Sequence, residues 1–253
     1  MAPPVEHDIP ELPNVIGTLA GRWHNTPWSS LALRFIDVAY ALLLAIVVVC
    51  IVRLATRRLT SIPRGLQNGC EWIVESLEEF FSSVLGRAGR PYIPFLGTLF
   101  LYILLMNLMG LIPGLKSPTT NLNVNLALAI AVFLVVQITG IRALGFFGYL
   151  KHMTGNLGGA IGFLLAPLML MMHVIEEIMK PVTLSIRLFG AITGDDTSLA
   201  VMVNMGLLGI PLQLMSLALG ILLGTVQAVV FTLLSAVYIA LMLPHESEPA
   251  HGA

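Results

Sequence analysis

The chain contains few charged residues, only two cysteines and no glycine-rich phosphate-binding loop. Charged residues make up 11% of its 253 residues and the formal net charge is −1, so the charge balance gives no indication of a nucleic-acid partner. Cys50 lies in an apolar run and Cys70 in an amphipathic one, which favours two unreactive thiols over a disulfide or a metal site. We therefore expect no metal, no cofactor and no hydrolysis of nucleotides by this chain on its own.

Hydrophobic residues, in contrast, make up 57% of the chain, and its mean hydropathy is +0.88. Such values are typical of an integral membrane protein, because a helix needs about 20 mostly apolar residues to cross about 30 Å of hydrocarbon. We predict an all-α membrane protein with about five membrane-embedded helices and one amphipathic surface helix, the last two helices being long and tilted. The apolar runs cover residues 31–52, 94–111, 124–141, 167–209 and 213–243.

Polar segments flank the membrane domain, which is predicted to cover residues 31–243. Residues 1–30 are rich in proline and lack the basic start and short apolar core of a signal peptide, so we expect an uncleaved polar tail. Six Lys and Arg residues lie in segment 53–90 and two in segment 142–151, whereas the loop after the second apolar run has one. By the positive-inside rule the protein is multi-pass in the cell (inner) membrane, with the N-terminus outside and residues 244–253 forming a short cytoplasmic tail.

Residues 65–86 follow a different pattern. Apolar residues recur at helical spacing on one side of this segment, and the other side is acidic. We predict an amphipathic helix on the membrane surface, whose acidic side faces water or contacts protein, since lipid-seeking helices carry a basic face. The acidic side consists of Glu71, Glu75, Glu78 and Glu79.

One arginine, Arg187, lies in the middle of the fourth apolar run. An arginine at the centre of a membrane helix costs about 2.5 to 3.5 kcal/mol on insertion scales, so it indicates a functional site that supplies a partner. At 100° per residue, several polar or small residues fall within about 40° of Arg187 on a continuous helix. This polar stripe should face protein or water and not lipid. Its other members are His173, Glu176, Lys180, Thr183, Gly194 and Ser198.

The length of the fourth run leaves two solutions open. As one helix, residues 167–209 would measure roughly 60 Å, about twice the hydrocarbon thickness. Two helices with a turn at 194–196 are one solution, and one long slanted helix is the other. On a continuous helix Asp196 falls opposite the polar stripe and Asp195 lies between the two. At least one carboxylate would then face a different compartment from Glu176.

The last apolar run carries a second stripe of small and polar residues. Small residues permit close approach of helices, and a glutamine among them can form a hydrogen bond across the interface. Gln227 could therefore be an interhelical donor or part of an ion path. The stripe consists of Gln213, Gly220, Gly224, Gln227 and Tyr238.

Residues 180–190, Lys-Pro-Val-Thr-Leu-Ser-Ile-Arg-Leu-Phe-Gly, resemble the signature of subunit a of the F-type ATP synthase. The similarity extends over about residues 35–243. It includes Leu-Met-Asn-Leu-Met-Gly-Leu-Ile-Pro at 105–113 and Asn-Leu-Asn-Val-Asn at 121–125. In the final helix, Gln227-Ala228 is followed by Phe231 and Tyr238. Each segment alone would be weak, but the combination is highly specific.

The resemblance implies a non-catalytic stator subunit of the Fo sector. In that family, protons or sodium ions enter one half-channel, bind carboxylates on the rotating c-ring and leave through a second half-channel, and Arg187 would separate the two. The implied partners are the c-ring, peripheral-stalk subunit b, the rest of the F1Fo complex and the lipid bilayer. The implied cytoplasmic half-channel is bordered by His173, Glu176, Glu177 and Lys180. The implied outer half-channel is served by Asn125, Asp195, Asp196 and Gln227.

Three departures from the family pattern affect the outer half-channel. Ala191 follows the signature glycine, where the family often has asparagine. Gly220 stands where bacterial members often have a histidine, and the pair Asp195-Asp196 replaces a more usual Gly-Glu. We expect a rebuilt outer path, in which either aspartate could replace the glutamate and sodium stays an alternative to the proton.

Two other classes of protein fit parts of the sequence. A secondary transporter could use Arg187 to bind an anionic substrate, but such folds usually contain internal repeats and none is detectable. A structural membrane scaffold would explain the apolar runs but not the charged residues at membrane depth. A stator subunit should co-purify with a small two-helix ring protein, whereas neither alternative should.

Overall fold

The computed structural model describes residues 36–56, 65–86, 88–112, 115, 117–153, 160–203 and 209–243. Within these ranges the chain forms six long helices and no strand, so the prediction of an all-α protein is confirmed. The predicted polar tails lie outside the described residues. The helices are α1 (Ile36–Thr56), α2 (Leu66–Leu85), α3 (Ile93–Met109), α4 (Leu122–Met153), α5 (Ala160–Val203) and α6 (Ile210–Met242).

Four helices, α1, α3, α4 and α6, are long and apolar enough to cross a membrane. They correspond to the first, second, third and last apolar runs of the sequence. The fourth apolar run, which forms α5, was predicted to be a fifth membrane-embedded helix. Among the described residues α5 is not one of these four, so the number of spans differs slightly from the prediction. The amphipathic α2 is not among them either, as predicted.

The amphipathic helix α2 begins and ends next to glycines. Gly65 has a φ of 60° and Gly86 a φ of 64°, a left-handed conformation that glycine adopts without steric cost. Phe81 is buried on one side of α2, whereas Glu75 is exposed on the other. Its location on the membrane surface stays a prediction.

The helix α5 is continuous over 44 residues. At 1.5 Å per residue it is about 66 Å long. Of the two solutions for this run, the single helix is therefore the correct one, and a turn at Gly194-Asp195-Asp196 is wrong. Pro167 and Pro181 both lie inside the helix, where each removes one backbone N–H from the hydrogen-bond ladder.

The helix α4 contains a kink at Gly145, where φ is 71° and ψ is 159°. This backbone conformation is essentially restricted to glycine. The third apolar run was expected to end near residue 141, but α4 continues past the kink to Met153. Beyond the kink, the ring of Tyr149 packs on Gly140, where an added Cβ would lie 2.8 Å from Tyr149 Cε2.

Gly145→Ala is expected to destabilise this part of α4. A Cβ in the conformation of Gly145 costs about 1 to 3 kcal/mol, and straightening the kink would pull Tyr149 away from Gly140. The measurement is SDS-induced unfolding of the purified protein, followed by helical circular dichroism. Gly148→Ala is the matched control, because an added Cβ there makes only an ordinary 3.5 Å contact with Leu144. Equal transitions for the two variants would contradict the role of the kink.

The chain divides into two compact units, and the predicted site residues divide between them. Unit 1 consists of Met1–Leu54, Leu101–Asn125 and Arg187–Val229, and unit 2 of Ala55–Phe100, Leu126–Ile186 and Val230–Ala253. In unit 1, Tyr40 packs against Met109, and the Tyr102 hydroxyl donates to the carbonyl of Ala41 at 3.0 Å. The buried side chains of unit 2 include Phe81, Leu96, Val132, Val136, Phe231 and Ile239.

Candidate functional site

Arg187 lies on an open face of α5 in unit 1. Its side chain is exposed, and no hydrogen bond or ion pair joins it to any described residue. Gly190 and Gly194 share its helix face, and a Cβ added at either would meet nothing within 4 Å. The guanidinium carries five N–H donors. The Arg187 guanidinium has no acceptor in the described part of its own chain, and the face around it is open to an acceptor from outside.

A cavity of about 340 Å³ lies between α5 and α6 in unit 1, and we call it the Asp195 cavity. Asp195 is the one carboxylate among its lining residues, and Ser198 and Ser216 add hydroxyl groups. Asp196 is half-buried and does not line the cavity. The other lining residues are apolar or glycine: Ala191, Gly194, Met202, Leu212, Met215, Leu219 and Leu223. A mostly apolar cavity with a few convergent polar groups is typical of a binding site.

Gly220 leaves room for the Asp195 carboxylate. A Cβ added at Gly220 would collide with Asp195 Oδ2 and would lie 2.8 Å from Leu111 Cδ2. Because interiors are close-packed, no side chain fits at position 220 while Asp195 keeps its place. The glycine at 220 and the aspartate at 195, two of the departures noted in the sequence, are therefore parts of one packing arrangement.

Asn125 and Gln227 are buried in unit 1, and each has a polar atom without a partner among the described residues. Asn125 Nδ2 donates to the carbonyl of Thr119 at 2.7 Å, but Asn125 Oδ1 accepts no hydrogen bond from this part of the chain. Within the same described residues, Gln227 Nε2 and the buried hydroxyl of Thr193 also lack a partner. Buried polar atoms nearly always have a partner in protein or ordered water. These three atoms can therefore bind water or a group from outside the described residues.

Four side chains from α4 and α5 form a hydrogen-bonded group in unit 2, which we call the Glu177 network: Gln137, Tyr149, Glu177 and Lys180. The Tyr149 hydroxyl donates to Gln137 Oε1. Gln137 Nε2 donates to Glu177 Oε2 at 3.0 Å, and Lys180 Nζ pairs with Glu177 Oε1. Lys180 Nζ also lies 5.2 Å from the centroid of the Tyr238 ring on α6, a cation–π contact. The network thus connects three helices.

Two further features describe the surroundings of the network. Tyr149 lies beyond the apolar span of α4. Burial raises the pKa of its hydroxyl, and so does the negative charge of Glu177. The hydrogen bond to Gln137 lowers this pKa by a smaller amount. Its hydroxyl therefore keeps its proton and acts as the donor. A cavity of about 10 Å³, lined by Glu177, Lys180 and Tyr238 among apolar residues, has room for about one water.

Glu176 and His173 have different surroundings from Glu177. Glu176 is exposed and pairs with no described residue, whereas Glu177 is 7% exposed. His173 is half-buried, and its Nδ1 donates to the carbonyl of Met169 in the same helix at 3.0 Å. The structure thus brings Glu177 and Lys180 together and leaves Glu176 apart from them.

The sequence profile of the ATP synthase A chain family matches residues 38–240. The chain belongs to the ATP synthase A chain family. Its relatives include proteins named ATP synthase subunit a. One from Protochlamydia amoebophila is 42% identical over 254 residues, which cover 97% of this chain and 94% of the relative. One from Moorella thermoacetica is 42% identical over 187 residues, which cover 74% of this chain and 81% of the relative. One from Geobacter sulfurreducens is 37% identical over 202 residues, which cover 80% of this chain and 85% of the relative.

Family membership and the four apolar helices together identify a multi-pass membrane protein. Two residues of the Glu177 network, Gln137 and Tyr149, were not predicted from the sequence as site residues. Gln137 offered a signal, since it is an amide well inside the third apolar run, where polar groups are costly. Tyr149 offered none, because helical spacing does not show that the chain turns back at Gly145.

Asn107, which the sequence analysis placed in a family motif without a role, connects three parts of unit 1. Its Nδ2 donates to the carbonyl of Gly224 on α6 at 3.0 Å, and its Oδ1 accepts from the Thr119 hydroxyl at 2.9 Å. The hydroxyls of Thr119 and Ser117 lie 2.6 Å apart and share a further hydrogen bond. The amide therefore ties α3 to α6 and to the turn before α4.

Asn107→Ala is expected to lower the free energy of unfolding by about 1 to 3 kcal/mol, because it leaves the buried Thr119 and Gly224 groups without their partner. SDS-induced unfolding measures this change. Asn123→Ala is the control, since Asn123 is exposed at the start of α4 and a surface change of this kind stays within about 0.5 kcal/mol. Indistinguishable transitions would show that the Asn107 bonds do not stabilise the fold.

Proposed function

We propose that this chain is the ion-translocating stator subunit of the Fo sector of an F-type ATP synthase in the cell (inner) membrane. In this proposal the partners are the c-ring, the peripheral-stalk subunit b and the rest of the F1Fo complex. The observation that carries the proposal is Arg187, a cation on an exposed face of α5 with no acceptor among the described residues. A carboxylate on a moving partner supplies that acceptor.

The chemistry of arginine suits this role. Its guanidinium is always protonated, so it attracts a deprotonated carboxylate but cannot itself relay a proton. A fixed cation of this kind separates two ion paths and prevents a direct leak between them. The membrane potential drives each charge with about 2.3 kcal/mol per 100 mV, and rotation of the ring passes this energy to ATP synthesis elsewhere in the complex.

The two groups of polar residues would serve as the two half-channels. The Asp195 cavity of unit 1 fits the outer half-channel because it presents one carboxylate and two hydroxyls, and we assign Asp195 and not Asp196 to its lining. The N-terminus would then lie outside and the C-terminus in the cytoplasm. Asn125 and Gln227 are further polar groups of the outer half-channel, whereas Asp196 has no role in it in this proposal. The cytoplasmic half-channel is bordered by His173 and Glu176, with the pair Glu177 and Lys180 next to them.

The secondary transporter is the less supported alternative. A transporter that binds an anion through Arg187 would need this side chain inside a cavity, between repeats of the fold. Arg187 does not line the Asp195 cavity and lies on an exposed face of its helix. An exposed cation of this kind suits a surface that another protein covers.

The test uses vesicles that contain the whole complex and measures ATP-driven ion uptake with proton and sodium dyes in parallel. We expect uptake by the wild type, loss of uptake in Arg187→Ala, and co-purification of a small two-helix ring protein with both. Val201→Ala is the matched control, because Val201 is also exposed on α5. Undiminished uptake by Arg187→Ala, in an assembled complex, would overturn the proposal.

A further inference from the structure

Both oxygens of the Glu177 carboxylate are occupied. Oε2 accepts a hydrogen bond from Gln137, and Oε1 pairs with Lys180. Gln137 is held in turn by the Tyr149 hydroxyl. The side chain of Glu177 is thus fixed from α4 on one side and from its own helix on the other.

These surroundings are unsuitable for a group that exchanges ions. An ion carrier must present an oxygen to water or to a partner, and must lose and regain its charge in each cycle. If Glu177 took up a proton, Lys180 would be left as a partly buried cation without its counter-charge, which is costly. Glu176, the neighbouring carboxylate, is exposed and free of any described partner. An exposed carboxylate on a membrane helix must face water or protein, since lipid would not solvate it.

We propose that Glu177 is a fixed counter-charge that anchors α5 to α4 and α6 in unit 2, and that Glu176 is the carboxylate that exchanges the ion. This inference rests on the proposed function, because it divides two roles at one half-channel. Gln137, Tyr149 and Lys180 are then positioning residues. A stator helix that a rotating partner pulls sideways needs such an attachment to keep its exchanging group in place.

The attachment depends on local backbone features of α4. Gly145 permits the kink that turns Tyr149 back, and Gly140 provides the space for its ring. On α6, Tyr238 lies under the Lys180 ammonium at 5.2 Å. The network therefore has contacts on three different helices. An anchor requires such contacts, whereas a simple proton path does not.

The test compares charge-removing variants in the whole complex: Glu177→Gln, Lys180→Gln, the double variant with both changes, and Glu176→Gln. Each single change in the pair leaves one charge without its partner, so we expect ATP-driven uptake to fall about tenfold or more. The double variant has no uncompensated charge, and its uptake should return to within about twofold of wild type, since coupled sites are non-additive. Loss of a carboxylate that exchanges the ion would not be rescued in this way.

Uptake as low in the assembled double variant as in Glu177→Gln would show that the carboxylate itself is needed and would overturn the proposal. If the double variant does not assemble, Glu176→Gln decides, because its exposed site leaves packing unchanged: loss of uptake supports the proposal and normal uptake overturns it. Arg187→Ala, measured in parallel, keeps the two hypotheses apart. Normal uptake by Arg187→Ala would overturn the stator function itself. If Arg187→Ala is inactive and the double variant does not recover uptake, only the role proposed for Glu177 is overturned.

Discussion

ATP-driven ion uptake is expected to fall at least about 100-fold in both Arg187→Ala and Arg187→Lys, which corresponds to roughly 2.7 kcal/mol or more in the coupled step. In the alanine variant, the unpaired cation that would attract a ring carboxylate is missing, because Lys180, the other basic residue of this stripe, already pairs with Glu177. The ring carboxylate would then have to lose its proton without a counter-charge in a region that solvates charge poorly. Rotation and ion flow would no longer be coupled.

The lysine variant is the more informative of the two, because it keeps the charge. An ammonium is a compact, strongly hydrated point charge, and it lacks the planar fork that binds both oxygens of a carboxylate. Lysine also gives up its proton when desolvated, so it can relay protons where arginine cannot. We therefore expect Arg187→Lys to lose coupled uptake and, in addition, to show a raised passive proton leak.

The measurement is ATP-driven uptake and passive leak in the same vesicles, with equal amounts of assembled complex and Val201→Ala as the control. Uptake by Arg187→Lys at more than half the wild-type rate would show that charge alone is sufficient. The planar guanidinium would then not be required. The requirement for a cation would still be supported by the loss of uptake in Arg187→Ala.

The helices could be predicted from the sequence because the bilayer dictates the length of apolar runs. The runs at 94–111 and 213–243 match α3 (Ile93–Met109) and α6 (Ile210–Met242) within a few residues. The single-helix solution for α5 also has a physical reason. A turn at 194–196 would leave backbone groups without intrahelical partners, and a continuous helix satisfies them. Gly-Asp-Asp is a turn signal in water, but that preference is overridden here.

The contacts between helices could not be predicted in the same way. Helical spacing predicts Glu176 in one stripe with Arg187, and both side chains are exposed. Spacing along α5 says nothing, however, about which residue of another helix meets Glu177, and its partner Gln137 lies 40 positions away. The kink at Gly145 could not be predicted for a similar reason, since a single glycine in a helical pattern does not determine its backbone angles.

Gly220→Ala is expected to lower ATP-driven uptake about tenfold or more, the second large effect, because the added methyl displaces the Asp195 carboxylate from its cavity at an overpacking cost of about 1 to 3 kcal/mol. The methyl also meets Leu111, but the end of that side chain can move aside. Asp195→Asn should reduce uptake to a similar extent. Asp196→Asn is the matched control and should retain most of the uptake, since Asp196 does not line the cavity.

The double variant Gly220→Ala/Asp195→Gly separates packing from chemistry. The collision with the carboxylate is removed, so resistance to SDS-induced unfolding should return toward the wild-type value. Uptake should nevertheless stay low, because the Asp195 cavity then has no carboxylate among its lining residues. Full uptake by this double variant, or loss of uptake in Asp196→Asn, would show that Asp196 and not Asp195 is the carboxylate of the outer half-channel. The glycine at 220 would then be explained by packing alone.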